Sequence, residues 1–254
     1  MSNLPLTQSQ IEETLSDENL DELLHLWWAE QGAEKKRDLG LMAAALPFSP
    51  EQGLSVLDLC CGPGDVGRTI QSRFPNARID CVDRDLFLIS ICMRVNRREG
   101  VPGQTLVRDL WNTDWYSGLS RDYDVVAIAN ALHWLDARRV KELFTDVLRL
   151  LRSGGVFVFV EPACAEKTFA TGFGEWKAKQ PARYVPENWE RFWSRANAIL
   201  GYDHTKLLGS RDAPRIGDAM PVSGWIQLLR ETGFGSIDVL LRDADEVILA
   251  AIKP

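Results

Sequence analysis

From Ser55 onward, short apolar runs alternate with segments whose apolar positions recur every three or four residues. The runs predict strands at Ser55–Leu59, Arg78–Asp83, Thr105–Val107, Tyr123–Ala129 and Val156–Glu161. The intervening periodicity predicts helices near Val66–Phe74, Leu86–Arg98 and Arg138–Leu151, the last closing at Gly154 and Gly155. Near-continuous apolar strands, each followed by a helix, imply a parallel sheet covered on both faces. The tail breaks this rhythm. A short helix carrying Trp225, Leu228 and Leu229 stops at Gly233, and strands Ser236–Leu241 and Glu246–Ile252 follow, joined by the tight turn RDAD. Strands joined so closely pair antiparallel. The expected fold is therefore α/β: a doubly wound seven-stranded sheet, mostly parallel with a C-terminal antiparallel hairpin, helices on both faces and a helical cap.

Two regions lie outside the alternation. Residues 16–47 read as helix starting at Ser16, with Leu20, Leu23, Leu24, Trp27 and Trp28 at helical spacing on a face that packs against the domain. An insertion runs from Pro162 to Val222. Its segment PENWERFWSRANAILG has Pro at a helix start and Gly201 past the end, with Trp189, Phe192, Trp193, Ala196, Ile199 and Leu200 on one face. The chain thus divides into an N-terminal helical cap (1–50), an α/β ligand-binding domain (51–161 and 223–254) and an inserted helical substrate cap (162–222).

Charge narrows the partners. The chain carries a net charge of −7, and its first 34 residues hold eight acids and no lysine or arginine. Gripping duplex nucleic acid calls for a basic face, so a small or protein-sized non-nucleic substrate is the better partner. The inserted region holds a local excess of positive charge and rings, with nine basic residues, six acids and eight aromatics between Glu166 and Arg215. Apolar runs such as VFVFV are too short to span a bilayer, and no basic n-region with an apolar h-region opens the chain. The five cysteines include no CxxC pair. Reduced thiols in a cytoplasmic protein, with no metal site, are expected.

The chemistry concentrates in Val56–Gly67, VLDLCCGPGDVG. An apolar strand carrying one acid, Asp58, passes into a glycine-rich turn and then a helix, bringing bare backbone N–H groups to a helix N-terminus. Gly62, Gly64 and Gly67 satisfy GxGxxG, and Asp83 follows at a spacing suited to a ribose, so a dinucleotide reading is open. Several features pull away from it. Asp58 sits inside a strand, where a carboxylate needs a partner. The tail is a hairpin, strand four runs into the polar and aromatic set ANALHWL, and no Tyr-x-x-x-Lys pair is visible.

On these residues the chain resembles the class I S-adenosylmethionine-dependent methyltransferases, from about Leu54 to Glu161 and again at the tail hairpin. VLDLCCGPG is similar to that family's first motif, with Cys60 standing where the family has its first glycine; the GxGxxG match is then incidental. The resemblance implies S-adenosylmethionine as co-substrate. It also implies that Asp58, Cys60, Gly62 and Gly64 lie against that ligand, as does Asn130. Asp83, with Arg84 beside it, would hold both ribose hydroxyls. Asp109 of VRDLW would contact the adenine amino group, with Leu110 beside the ring. LRSGGVFVFVEP resembles the family's turn into strand five.

Methyl transfer from a sulfonium needs nucleophile, methyl carbon and sulfur in line, with water excluded. A hydroxyl acceptor also needs a base. Of His25, His133 and His204, only His133 follows strand four, where the methyl would emerge, and it is the candidate base. Trp134, Trp189 and Trp193 are candidates for the acceptor pocket, with Arg183, Arg191 and Arg195 suited to an anionic molecule if they face inward. The expected activity is methylation of a small molecule on a hydroxyl or carboxylate oxygen. An RNA or protein acceptor, or a non-catalytic module that only binds S-adenosylmethionine, are the alternatives.

Overall fold

The computed structural model describes residues 6–180, 186–207 and 220–254. Its sheet holds β1 (Ser55–Leu59), β2 (Arg78–Asp83), β3 (Thr105–Val107), β4 (Tyr123–Ala129), β5 (Leu151–Pro162), β6 (Ile237–Asp243) and β7 (Glu246–Ile252). The order across the sheet is β3-β2-β1-β4-β5-β7-β6. Strands β1 to β5 pair in parallel, and β7 lies antiparallel to both β5 and β6. This is the expected seven-stranded arrangement, closing hairpin included. The order reverses between β1 and the central β4, and such a switch point is where ligands bind in open α/β sheets.

Alternation along the strands divides the core. Leu57, Leu59, Val126, Ile128, Phe157 and Phe159 face α5 (Ala137–Leu150) and α8 (Val222–Thr232). Val56, Val125, Ala127, Val156 and Val158 face the other way, toward α3 (Asp65–Arg73), α4 (Leu86–Glu99) and the second half of α2 (Asp17–Ala44). A third apolar cluster joins α1 (Gln8–Thr14), the first half of α2, the outer side of α4 and α7 (Pro186–Leu200). α1, the first half of α2 and α7 therefore form one cap, and α2 belongs to both cap and body.

The structure refines several expected boundaries. Ser16 does cap α2, accepting from the Asn19 N–H, but the helix breaks at Gly32, whose φ of 72° and ψ of −178° no helix contains. α1 precedes it, opened by a Thr7/Gln10 capping box, and at seven residues is too short to leave a periodic signal. α6 (Ala170–Lys177) buries no residue, so it has no apolar stripe to read from sequence. β5 begins at Leu151, opposite Tyr123, and slips register before Val156 meets Val125.

Gly67, whose place in the GxGxxG spacing reads as incidental, is fixed by packing. A Cβ there would meet Ile79 Cγ2 at 2.6 Å and Asp58 Oδ2 at 3.1 Å, so α3 can lie against β1 and β2 only over a glycine. Gly67→Ala is expected to lower the unfolding free energy by roughly 1–3 kcal/mol, measured by urea denaturation, because the close approach must open.

Candidate active site

Three buried carboxylates stand at the carboxyl ends of β1, β2 and β5, and each grips the loop beside it. Asp58 Oδ2 accepts the Gly67 N–H at 2.8 Å, while its Oδ1 is buried without a partner. Burial pushes Asp58 well above the ordinary carboxylate range. Asp83 accepts the Gly62 N–H on Oδ2 and the Asp85 N–H on Oδ1, both at 2.9 Å. Burial raises its pKa to about 6 against the pull of those amides. Glu161, fully buried, accepts the Ala131 and Leu132 N–H groups on Oε1 at 2.6 Å each, and the His133 N–H on Oε2 at 3.3 Å.

The glycine-rich turn lies between the first two acids. Cys60 adopts φ 51° and Gly62 φ 53°, in the left-handed region. Trp27 of α2 lies over the turn: a Cβ on Gly62 would meet its ring at 3.3 Å, and its indole N–H donates to Asp65 Oδ2 at 2.5 Å. Gly64, at φ 90°, caps α3 with no room for a side chain, since a Cβ would strike Cys92 Sγ at 2.7 Å. Under the turn Cys61, Cys81 and Cys92 converge, their sulfurs within 4.8 Å of one another, and the Asn96 amide donates to the sulfurs of Cys81 and Cys92. Sequence spacing does not foretell this cluster, because the three thiols come from three elements.

Past β3, Asp109 Oδ1 accepts the Trp111 N–H at 3.0 Å and shapes the turn that buries Leu110. Arg139 of α5, itself buried, donates to the carbonyls of Leu110 and Asn112 and so fixes that turn from below. After β4, Asn130 takes φ 52° and leaves its Oδ1 buried without a partner. A 3-10 turn over Leu132–Trp134 follows. His133 Nδ1 lies 2.8 Å from Glu161 Oε2. A carboxylate there accepts a hydrogen bond from Nδ1–H and leaves Nε2 as the basic nitrogen.

Comparison with known proteins fits this geometry. A family profile described as "Methyltransferase domain" matches residues 56–155, from β1 into β5. Residues 56–155 thus match a methyltransferase domain, and the fold is one that solved methyltransferases share. A highly reducing polyketide synthase of Aspergillus terreus, ctvA, is 30% identical over 131 residues, which are 51% of this chain and 4% of the synthase. Among solved structures, the carbon methyltransferase of CurJ superposes with TM-score 0.59 at 18% identity, covering 88% of this chain and 56% of that one. An O-methyltransferase family 2 protein of Planctomyces limnophilus, solved with apigenin, gives 0.59 at 16%, covering 94% and 61%. Human N-acetylserotonin methyltransferase, solved with S-adenosylmethionine, gives 0.54 at 14%, covering 93% and 56%. The chain thus spans little more than half of two of these structures and a small part of the synthase.

Within the matched residues 56–155, Asp58, Cys60, Gly62, Gly64, Asp83, Asn130 and His133 stand at or just past the carboxyl ends of β1, β2 and β4. Asp109 and Leu110 stand beyond β3, and Arg84 is exposed one residue past Asp83. Trp134 is 52% exposed beside the His133 ring, and Trp189 is 37% exposed, packed on Trp27. Trp193 is buried in the cap between Phe87 and His204, stacking on the latter at 5.8 Å. Arg195 pairs with Glu22 at 2.7 Å and with Asn19, tying α7 to α2. Arg191 is exposed, and Arg183 lies outside the described residues. His204 is spent on the cap, its Nε2 lying 2.9 Å from Asp85 Oδ1. The residue that sequence reasoning underrates is Glu161. Only its placement at the end of an apolar strand, facing the ALHW loop, signals a buried acid in need of donors.

Cys60 tests the turn directly. An L side chain in the left-handed region costs about 1–2 kcal/mol, so Cys60→Gly is expected to raise the unfolding free energy by up to ~1 kcal/mol in urea. A lowered midpoint would mean that the packing of its thiol outweighs the strain.

Proposed function

We infer that the chain transfers a methyl group from S-adenosylmethionine to a small-molecule acceptor from which His133 takes a proton. The observation that carries this reading is the His133–Glu161 pair. A buried carboxylate holds the imidazole by Nδ1, and the three backbone amides of the same loop hold the carboxylate. Nε2 is thereby presented as a base of fixed orientation at the edge beyond β4. Carboxylate acceptors are already ionised at neutral pH, so a base built this carefully favours an acceptor that must lose a proton.

The co-substrate pocket follows from the same edge. Asp83 has lone pairs left on both oxygens after its two amide bonds, enough to accept two ribose hydroxyls. Asp109 and Leu110 suit the adenine edge and face. Cys60, Gly62 and Gly64 expose backbone along the ligand, with Arg84 at the rim. The unpartnered Oδ1 atoms of Asp58 and Asn130 suit the ammonium and sulfonium side, where buried acceptors want positive charge. Trp134 and Trp189 would wall the acceptor, and Trp193 would support that wall from within the cap.

A hydroxyl oxygen is the first choice of acceptor atom, in line with the apigenin-bound O-methyltransferase. Carbon is the second reading, favoured by the polyketide synthase and the CurJ carbon methyltransferase. The same base would then remove a proton from a carbon beside a carbonyl. In either case the electron pair that deprotonation frees on the acceptor would attack the methyl carbon as the C–S bond breaks, and S-adenosylhomocysteine would leave as a neutral thioether.

Labelled methyl transfer to a panel of phenols, hydroxy acids and β-keto thioesters separates these readings, since the product reveals the methylated atom. His133→Ala is expected to lower kcat by roughly 10²- to 10⁴-fold while leaving S-adenosylhomocysteine affinity unchanged. Full turnover in the variant would remove the base assignment. Because ionised Asp83 is the better acceptor and its pKa lies near 6, S-adenosylhomocysteine affinity should be steady above pH 7 and fall as pH drops through about 6. Titration calorimetry reads this directly, and the fall should vanish in Asp83→Asn.

A further inference from the structure

Three thiols beneath the glycine turn take no part in the reading above. Cys61 lies in the turn, Cys81 on β2 and Cys92 on α4, and all three are buried. Their sulfurs lie within 4.8 Å of one another. A point central to them is therefore at most about 2.8 Å from each, against roughly 2.3 Å for a zinc–thiolate bond. Closing on an ion asks each sulfur to move by about half an ångström.

A core filled by small apolar groups needs no amide, yet Asn96, one helical turn past Cys92 and only 8% exposed, is turned onto the sulfurs. Its Nδ2 donates to Cys81 Sγ at 3.6 Å and to Cys92 Sγ at 3.5 Å, while its Oδ1 is buried without a partner. Rotated about its last bond, the same amide would offer that oxygen to an ion among the sulfurs. Charged groups flank the cluster. A Cβ on Gly64 would meet Cys92 Sγ at 2.7 Å and Arg68 Nη1 at 2.9 Å, so the Arg68 guanidinium, paired with Asp65, lies beside the sulfurs. Asp58 stands opposite Cys81 in the β1–β2 register.

Soft thiolates in a dry pocket select soft cations over the hard ions that take carboxylates and water. We propose that Cys61, Cys81 and Cys92 bind one thiophilic d10 cation, zinc(II) or copper(I), between the glycine turn, β2 and α4. This departs from the expectation of no metal site, which rests on spacing alone: no CxxC pair links ligands drawn from a turn, a strand and a helix. Binding replaces the S–H protons by metal–sulfur bonds, and the protons pass to solvent. The ion enters as the chain folds, because the sulfurs are shut beneath the turn. Its effect is that of a staple. The Cys61 backbone already fixes the turn, its N–H donating to the Val82 carbonyl at 3.0 Å and its carbonyl accepting the Gly64 N–H at 2.8 Å. A metal on the Cys61 sulfur ties that turn to β2 and α4 from below. Nothing in this staple depends on a methyl acceptor or on S-adenosylmethionine.

Cadmium(II) is the probe, because its thiolate complexes absorb in the ultraviolet and its NMR shift counts the sulfurs bound. The full chain, reduced and refolded without oxygen, should take up one cadmium through three sulfurs, and its thermal unfolding midpoint should rise. Cys61→Ser, Cys81→Ser and Cys92→Ser should each weaken cadmium by about a hundredfold or more. Cys164→Ser, which alters a thiol outside the cluster, should match wild type. Circular dichroism certifies the fold of each variant, and if the cluster variants do not fold, the wild-type sulfur count decides alone. Displacement of cadmium by zinc(II) or by copper(I) then tells which cation the site prefers. Absence of the thiolate band in wild type, fewer than three sulfurs on the metal, or an unfolding midpoint that does not rise overturns the proposal. So does a band lost as fully in Cys164→Ser as in Cys81→Ser.

Discussion

A carboxylate withdrawn from water must find donors, and in this chain that requirement organises the edge where the site lies. Asp58, Asp83 and Glu161 end three of the strands, and each turns to the backbone amides of a neighbouring loop. The glycine turn is pinned twice, through Gly67 from β1 and through Gly62 from β2. The ALHW loop is pinned by Glu161, which binds the backbone of three successive residues and the imidazole of the third. These bonds hold each loop in place.

The cap follows a different physical rule. α1, the first half of α2 and α7 have little α/β surface to bury against, so they bury their aromatic faces on one another and on α4. Phe192 and Trp193 pack on Phe87, and Arg195 ties α7 to α2. His204 joins the cap to Asp85 at the N-terminus of α4, two residues beyond Asp83. The break at Gly32 lets α2 serve both assemblies, with Trp27 over the glycine turn above the break and Leu39 and Met42 in the sheet core below it.

Much of this is legible along the chain because the signals are local. Period-two and near-continuous apolar runs mark the strands, Gly233 and the RDAD turn mark the closing hairpin, and Asp58, Asp83 and Asp109 each fall at or near the end of a strand. α6 escapes notice because it buries nothing, and the start of β5 because a register slip interrupts its pattern. The inserted helix is readable as amphipathic, but its partner is not. The face that carries Trp193 looks equally suited to a ligand and to another helix, and packing on α4 and His204 settles where the ring goes.

By itself the sequence determined the order of the strands, the seven-stranded sheet and the acids and glycines at its carboxyl edge, because these depend on neighbours within a few residues. Only the tertiary structure decided what crosses between elements. It joined Glu161 to His133 across 28 residues and brought three cysteines from three elements together under one turn. Such pairings arise when strands far apart in the chain end at the same edge, and no local pattern encodes which side chains meet there.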